Sequence, residues 1–70
     1  MSLPVHVVPT LAGVGVGAEV TVEGDEAHHA VAVRRLRVGE HLVLTDGAGT
    51  AVRAVVDSTG KRVLTAIAEE

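Results

Sequence analysis

The chain has 70 residues, no cysteine, no Phe, Tyr or Trp, and a formal net charge of −3. This length suffices for one small domain without a second module, and the lack of cysteine excludes disulfides and thiolate metal sites. No apolar run is long enough to span a membrane and no signal peptide is recognisable, so we expect a cytoplasmic protein without membrane contact.

The first part of the chain predicts two β-strands. Its apolar residues are aliphatic and rich in valine, which favours pleated, half-buried structure. Residues 5–8, bracketed by prolines, predict a first strand. A glycine-rich connection over residues 13–17 then leads to Val20 and Val22, whose alternation predicts a second strand.

One helix is predicted over residues 26–35. Asp25 is well suited to the N-cap position, Glu26 favours the first turn, and small apolar residues follow at helical spacing. The segment runs into a group of arginines: Arg34, Arg35 and Arg37.

Three further strands are predicted beyond the helix. In His41–Thr45, Leu42 and Leu44 share one face and are assigned to the core. An Asp-Gly turn leads to a fourth strand over residues 50–57, and a second turn leads to a fifth over residues 62–68. Five short strands and one helix predict a mainly β fold, a small closed or nearly closed barrel, because closure removes unpaired strand edges.

Positive charge is concentrated in three arginines, although the chain as a whole is acidic. Charge at a helix C-terminus is partly explained by the helix dipole, and a solvated surface is the alternative to a binding role. Three guanidiniums within four residues also suit bidentate phosphate contacts. Three further basic residues are weaker candidates for such a surface: Arg53, Lys61 and Arg62. Their positions are polar in most small β domains regardless of function.

No catalytic, cofactor-binding or metal-binding constellation is predicted. Adjacent His28 and His29 point about 100° apart on a helix and do not readily share one metal ion. His6 and His41 are isolated, and surface or edge positions are expected for both. The glycines of residues 13–17 lead into a strand rather than opening a helix, which excludes a dinucleotide fingerprint.

The middle of the chain carries an ordered pattern: a His-containing helix, a Val-Leu-Arg-like step, a basic residue, Gly-Glu, a short apolar strand and Asp-Gly. Its positions are His28, His29, Val33, Arg35, Leu36, Arg37, Gly39, Glu40, Leu44, Asp46 and Gly47. This pattern resembles the N-terminal domain of the RsmE family, bacterial enzymes that methylate N3 of a uracil in 16S ribosomal RNA. The first strand departs from the family, in which an Arg and an aromatic strand are common there. The resemblance implies a PUA-like β-barrel over all 70 residues.

The resemblance also implies a function. Family members continue into a knotted SPOUT methyltransferase domain, which binds S-adenosylmethionine and forms a homodimer. None of that sequence is in these 70 residues, so the chain alone is not expected to bind this cofactor or to catalyse methylation. We expect an RNA-recognition domain of a 16S rRNA uracil-N3 methyltransferase, a transferase of rRNA processing. It would position 16S rRNA or the small ribosomal subunit for methylation by the missing C-terminal domain.

With the resemblance added, RNA contact by the three arginines is favoured, and Arg35 ranks first because it lies at the Val-Leu-Arg-like step. Without aromatic side chains for base stacking, the domain is expected to bind RNA backbone and shape, with low affinity alone. The alternative is a structural or protein-interaction β-barrel with no RNA role. In that case the surface of residues 34–37 docks an acidic protein or the missing domain.

Overall fold

The structure, a computed structural model, describes residues 3–69 as five strands and one helical segment. The strands are β1 (Val5–Val7), β2 (Glu19–Glu23), β3 (His41–Thr45), β4 (Ala51–Thr59) and β5 (Val63–Ala68). The helix α1 (Gly24–His28) continues directly into a π-helical turn (His29–Val33).

The five strands form one sheet in the order β1-β3-β4-β5-β2, with β1 parallel to β3 and the other pairs antiparallel. The sheet curls into a half-barrel whose two edges are β1 and β2. The helix bridges these edges, because α1 packs against β2 and β5 while its Glu26 bonds His6 of β1. The predicted fold class, mainly β with five strands and one short helix, is confirmed.

The helix is displaced toward the N-terminus relative to its predicted span. It begins at Gly24 and ends at Val33, whereas residues 26–35 were expected. Its N-cap residue is Glu23, in an extended conformation without a side-chain cap, so the assignment of Asp25 as N-cap is wrong. Asp25 lies within the first turn, where an acidic side chain favours the helix dipole.

β4 is longer than predicted and continues to Thr59, through two positions that were expected to form a turn. A register shift between Val56 and Ser58 keeps the strand paired with β5 beyond this point. The hydroxyl groups of Ser58 and Thr65 then share a hydrogen bond of 2.6 Å. The turn to β5 is therefore confined to residues 60–62.

The core is aliphatic and lies inside the curled sheet. Leu42 and Leu44 of β3 are fully buried together with Leu64 of β5, which confirms the predicted core face of β3. The helix covers this layer with Ala27 and Ala30. Their small side chains let the helix backbone approach the sheet closely.

His6 is buried, contrary to its predicted surface position. Although β1 is an edge strand, the residue is only 1% exposed, and its Nδ1 lies 2.8 Å from Oε2 of Glu26. The pairing of β1 with β3 places His6 beside Leu44, so both face inward. Val5 and Val7 consequently face outward and are exposed.

His41 is not isolated either. It lies at the start of β3, an interior strand of the sheet, and is half-buried. Its Nε2 lies 3.0 Å from Oε1 of Glu69, which follows β5. A carboxylate distant in sequence therefore partners this histidine across the sheet.

Candidate nucleic-acid interface

The basic segment, defined as residues 34–37, begins where two backbone hydrogen bonds close the helix. The amide of Arg34 donates to the carbonyl of His29, and the amide of Leu36 donates to the carbonyl of Ala30, both at 3.0 Å. The first bond spans five residues, as in a π-helix, a rare element that is frequent at functional sites. The second spans six residues, one more than the corresponding bond of a Schellman C-cap, because it closes a π-helical and not an α-helical turn. Leu36, only 6% exposed, then enters the core and turns the chain back onto the barrel.

Arg35 occupies the left-handed conformation that this helix end requires, with a φ of 56°. The six other described residues with positive φ are all glycines. For a residue with a Cβ, this conformation costs about 1–2 kcal/mol. A positive charge at an exposed helix C-terminus returns only about 0.3–1 kcal/mol. Helix-end charge therefore does not by itself account for an arginine at this position.

The other end of the basic segment is fixed to β4. The amide of Gly39 donates to the carbonyl of Val56 at 2.9 Å, and the amide of Val56 donates to the carbonyl of Glu40 at 2.8 Å. The Oε1 of Glu40 also accepts a hydrogen bond from the amide of Arg37 at 3.2 Å. These contacts and the buried Leu36 hold the segment in one backbone conformation.

The three arginines of the basic segment, Arg34, Arg35 and Arg37, are exposed. Within residues 3–69, none of their guanidinium groups takes part in a hydrogen bond or ion pair. The carboxylate of Glu40 bonds the backbone amide of Arg37 and not its side chain. The segment therefore presents three positive charges that no carboxylate of the described chain neutralises by direct contact.

Lys61 and Arg62 lie in the turn between β4 and β5, at the same end of the sheet as the basic segment, because β3 begins and β4 ends there. Both are exposed. The carbonyl of Arg62 accepts a hydrogen bond from the amide of Gly24 at 3.0 Å, and its Nη1 lies 3.2 Å from Oδ1 of Asp25. This exposed ion pair contributes little stability, but it offsets part of the charge of Arg62.

Arg53 lies away from that end of the sheet. It is near the start of β4, opposite Val43 of β3, and it faces outward because Ala54 faces the core. Its carbonyl accepts a hydrogen bond from the amide of Glu69 at 2.8 Å. By strand direction Lys61 and Arg62 belong to the same end of the sheet as the basic segment, but they lie beside the start of the helix and the basic segment follows its end. Arg53 lies apart from both, on the outer face of β4.

The surface of residues 3–69 offers little to a metal ion or a small molecule. No three His, Cys, Asp or Glu side chains of these residues come together as a metal site, and no pocket forms there. None of the helices in this span is long and apolar enough to cross a membrane. The exposed arginines are therefore the feature that invites a functional interpretation.

The chain is similar in sequence to RNA methyltransferases. Residues 22–69 match the family model described as the RNA methyltransferase PUA domain. Over 45 residues, 64% of this chain, it is 53% identical to the ribosomal RNA small subunit methyltransferase E of Mycobacterium bovis. The match covers 17% of that relative, so the chain spans about a sixth of its length.

Two solved structures share the fold. The ribosomal RNA small subunit methyltransferase E of Neisseria gonorrhoeae, solved bound to S-adenosyl methionine, superposes with a TM-score of 0.81 and 27% identity. The superposition covers 96% of this chain and 27% of that protein. A putative methyltransferase of Legionella pneumophila in complex with the same cofactor has a TM-score of 0.87 over 100% of this chain and 28% of its own. At 17% identity, the Legionella structure supports the fold alone.

Proposed function

Because the chain belongs to the RNA methyltransferase PUA domain family, in its RsmE branch, we propose that it recognises RNA for a 16S rRNA uracil-N3 methyltransferase. In this role the domain binds ribosomal RNA. Methyl transfer from S-adenosylmethionine then takes place in the sequence that the relatives carry beyond the matched part. The whole enzyme is a homodimer that acts on 16S rRNA or the small ribosomal subunit.

The observation that carries this proposal is the basic segment. Its three guanidiniums are exposed and have no carboxylate partner within residues 3–69. Its backbone is fixed on one side by Leu36 and on the other by β4. A polyanion meets these charges without first displacing an internal partner, and little backbone ordering is needed on binding.

The chemistry of the surface favours contacts to the RNA backbone. Guanidinium groups match phosphate oxygens in a planar, bidentate geometry. The chain has no Phe, Tyr or Trp on which bases would stack. Recognition then depends on the position of phosphates in folded RNA, and affinity falls steeply with salt as counterions are released.

The remaining basic residues take lesser parts in this proposal. Lys61 and Arg62 share the end of the sheet with the basic segment and extend it, although Asp25 offsets part of the charge of Arg62. Arg53 faces outward on β4, so we expect it to contribute least.

The double substitution Arg35→Ala, Arg37→Ala tests the proposal. RNA affinity should fall for unrelated sequences alike, because phosphate contacts carry no sequence information. The slope of log affinity against log salt should also flatten by about 0.7–0.9 for each phosphate that the variant no longer neutralises. Binding of 16S rRNA transcripts at several salt concentrations measures both effects, and thermal melting checks that the fold is retained.

Arg53→Ala is the comparison variant, since it removes one positive charge away from the basic segment and should weaken binding less. Unchanged RNA affinity of the double variant at low salt would exclude the basic segment as the RNA site. If the double variant instead became less stable while RNA affinity stayed constant, the arginines would have the structural role of helix-end charges.

A further inference from the structure

We infer that an arginine, and not a glycine, occupies the left-handed position 35 for the sake of an RNA phosphate contact, so that the choice of residue here lowers stability in exchange for binding. The inference rests on the proposed function, because it assigns to one residue of that surface a specific contact and a measurable cost. It starts from a contrast within the fold. Each of the other described positions with positive φ is a glycine, and this one is an arginine.

The conformation itself belongs to the fold. The hydrogen bond from the amide of Leu36 to the carbonyl of Ala30 ends the helix, and Leu36 must turn back into the core. Position 35 is therefore left-handed whichever residue occupies it. Glycine would meet this requirement without steric strain, since it has no Cβ.

The side chain of Arg35 does nothing for the fold that would compensate for the strain. It is exposed and makes no hydrogen bond or ion pair with residues 3–69. The helix end already has a cation at Arg34, the C-cap residue, whose φ of −84° is unstrained. A backbone strained for no internal benefit indicates that the side chain serves an external ligand.

The guanidinium group of Arg35 indicates the chemical class of its ligand. A guanidinium on a rigid backbone, with Arg37 two residues further along and Leu36 buried between them, binds a planar pair of anionic oxygens. Phosphate oxygens of RNA are the favoured ligand, because the chain belongs to an RNA methyltransferase PUA domain family and has no aromatic side chains for base stacking. The carboxylates of an acidic protein are the competing class of ligand, and polyglutamate serves as their probe.

The test compares three variants of this chain. Arg35→Gly relieves the strain and removes the guanidinium, whereas Arg34→Gly removes the same group from the C-cap, where the backbone is unstrained and glycine brings only its larger loss of conformational entropy on folding. Arg35→Lys keeps the charge and the strained backbone but lacks the planar fork. Thermal melting is measured for each, together with the dissociation constant for a 16S rRNA transcript at 50 and 200 mM salt and for polyglutamate.

We expect Arg35→Gly to raise the melting temperature by about 2–6 °C and to weaken RNA binding about tenfold at the lower salt concentration. Arg34→Gly should lower the melting temperature. Arg35→Lys should melt like the unsubstituted chain and bind RNA with intermediate affinity.

Two results would overturn the inference while leaving the proposed function intact: a lower melting temperature for Arg35→Gly, or RNA binding by this variant equal to that of the unsubstituted chain. Loss of polyglutamate binding with unchanged RNA affinity would assign Arg35 to an acidic protein and would also overturn it. Failure of the unsubstituted chain to bind the transcript at 50 mM salt would refute the proposed function, and the inference with it.

Discussion

The hydrogen bond between His6 and Glu26 joins β1 to α1 across the opening of the half-barrel. The His6 ring is buried, and its Nε2 has no hydrogen-bond partner in the described part of the chain. The ring of His29 packs edge-on against it, with 6.2 Å between centroids. Because one ring nitrogen is already unsatisfied in the core, the contact with Glu26 is what keeps the other one paired.

Glu26→Ala is therefore expected to lower the free energy of unfolding by about 1–3 kcal/mol, since both nitrogens of His6 would then lack a protein partner. Adding His6→Leu should recover much of this loss, because an apolar side chain needs no hydrogen bond. Urea denaturation of the single and double variants measures both effects. A double variant less stable than Glu26→Ala alone would contradict this role for the pair.

The side chain of Asp46 organises the turn between β3 and β4. Its Oδ1 accepts hydrogen bonds from the amides of Ala48 at 2.8 Å and Thr50 at 3.2 Å. The bond from Ala48, reinforced by that from Thr50, holds the pKa of the Asp46 carboxyl below its ordinary value of 3.8. The Asp-Gly step of the family pattern thus has a structural function in this turn.

The lowered pKa of Asp46 predicts a pH dependence of stability. The carboxylate favours the folded state, so its contribution is fully present above the unfolded value near 3.8 and is lost as pH falls through the lower folded value. Asp46→Asn keeps an accepting oxygen but cannot titrate. Melting temperatures recorded down to pH 2.5 should therefore fall less for this variant, and parallel curves for the two proteins would refute the assignment.

The strand β3 depends on the alternation of its side chains between a buried and a partly covered face. Leu42 and Leu44 are fully buried, whereas His41, Val43 and Thr45 on the other face are only partly covered. The strand is also central to the sheet, because it pairs with both β1 and β4. Its inner leucines therefore connect an edge strand to the rest of the core.

Leu44→Ala should cost about 2–5 kcal/mol, because it removes a fully buried side chain and leaves a cavity. At about 0.05–0.15 kcal/mol per residue, a domain of this size has little stability beyond that amount, so much of the population should unfold. Val43→Ala on the opposite face of β3 is the matched control and should cost less. Denaturant titration compares the two, and equal losses would show that the faces are not distinguished energetically.

The helix, unlike β3, ends in unusual backbone geometry. Its last turn is π-helical, and the residue after its C-cap is left-handed, so the element ends in two uncommon conformations in succession. Both place Leu36 in the core, where it is nearly fully buried. The helix thus ends by anchoring the chain, and the arginines on either side of that anchor are left exposed.

The net charge of the chain and the charge of the basic segment have opposite signs. The chain carries −3 overall, yet three of its six basic residues lie within the four residues of the basic segment. Acidic residues line the β2 edge, where Glu19 and Glu23 are exposed. Charged side chains on an edge strand discourage pairing with another sheet. These carboxylates also repel a polyanion, so favourable contact with it is confined to the positively charged surface.

Local sequence patterns were enough to predict most of the strands, the core face of β3 and the Asp-Gly turn, because these depend on neighbours one to four residues apart. His41–Thr45 was predicted with its observed boundaries, since alternation and the flanking turns act locally. The grouping of the arginines was also visible in the sequence, although their role as an RNA site stays a prediction.

Long-range contacts fix which face of β1 is buried, where the helix ends and which charges are paired. His6 faces inward because β1 pairs in parallel with β3, and Arg62 meets Asp25 because the β4–β5 turn folds against the start of the helix. The left-handed conformation of Arg35 arises because Leu36 must reach the core within a few residues of the helix. Each of these features depends on contacts between segments distant in sequence, and local preference carries no information about such contacts.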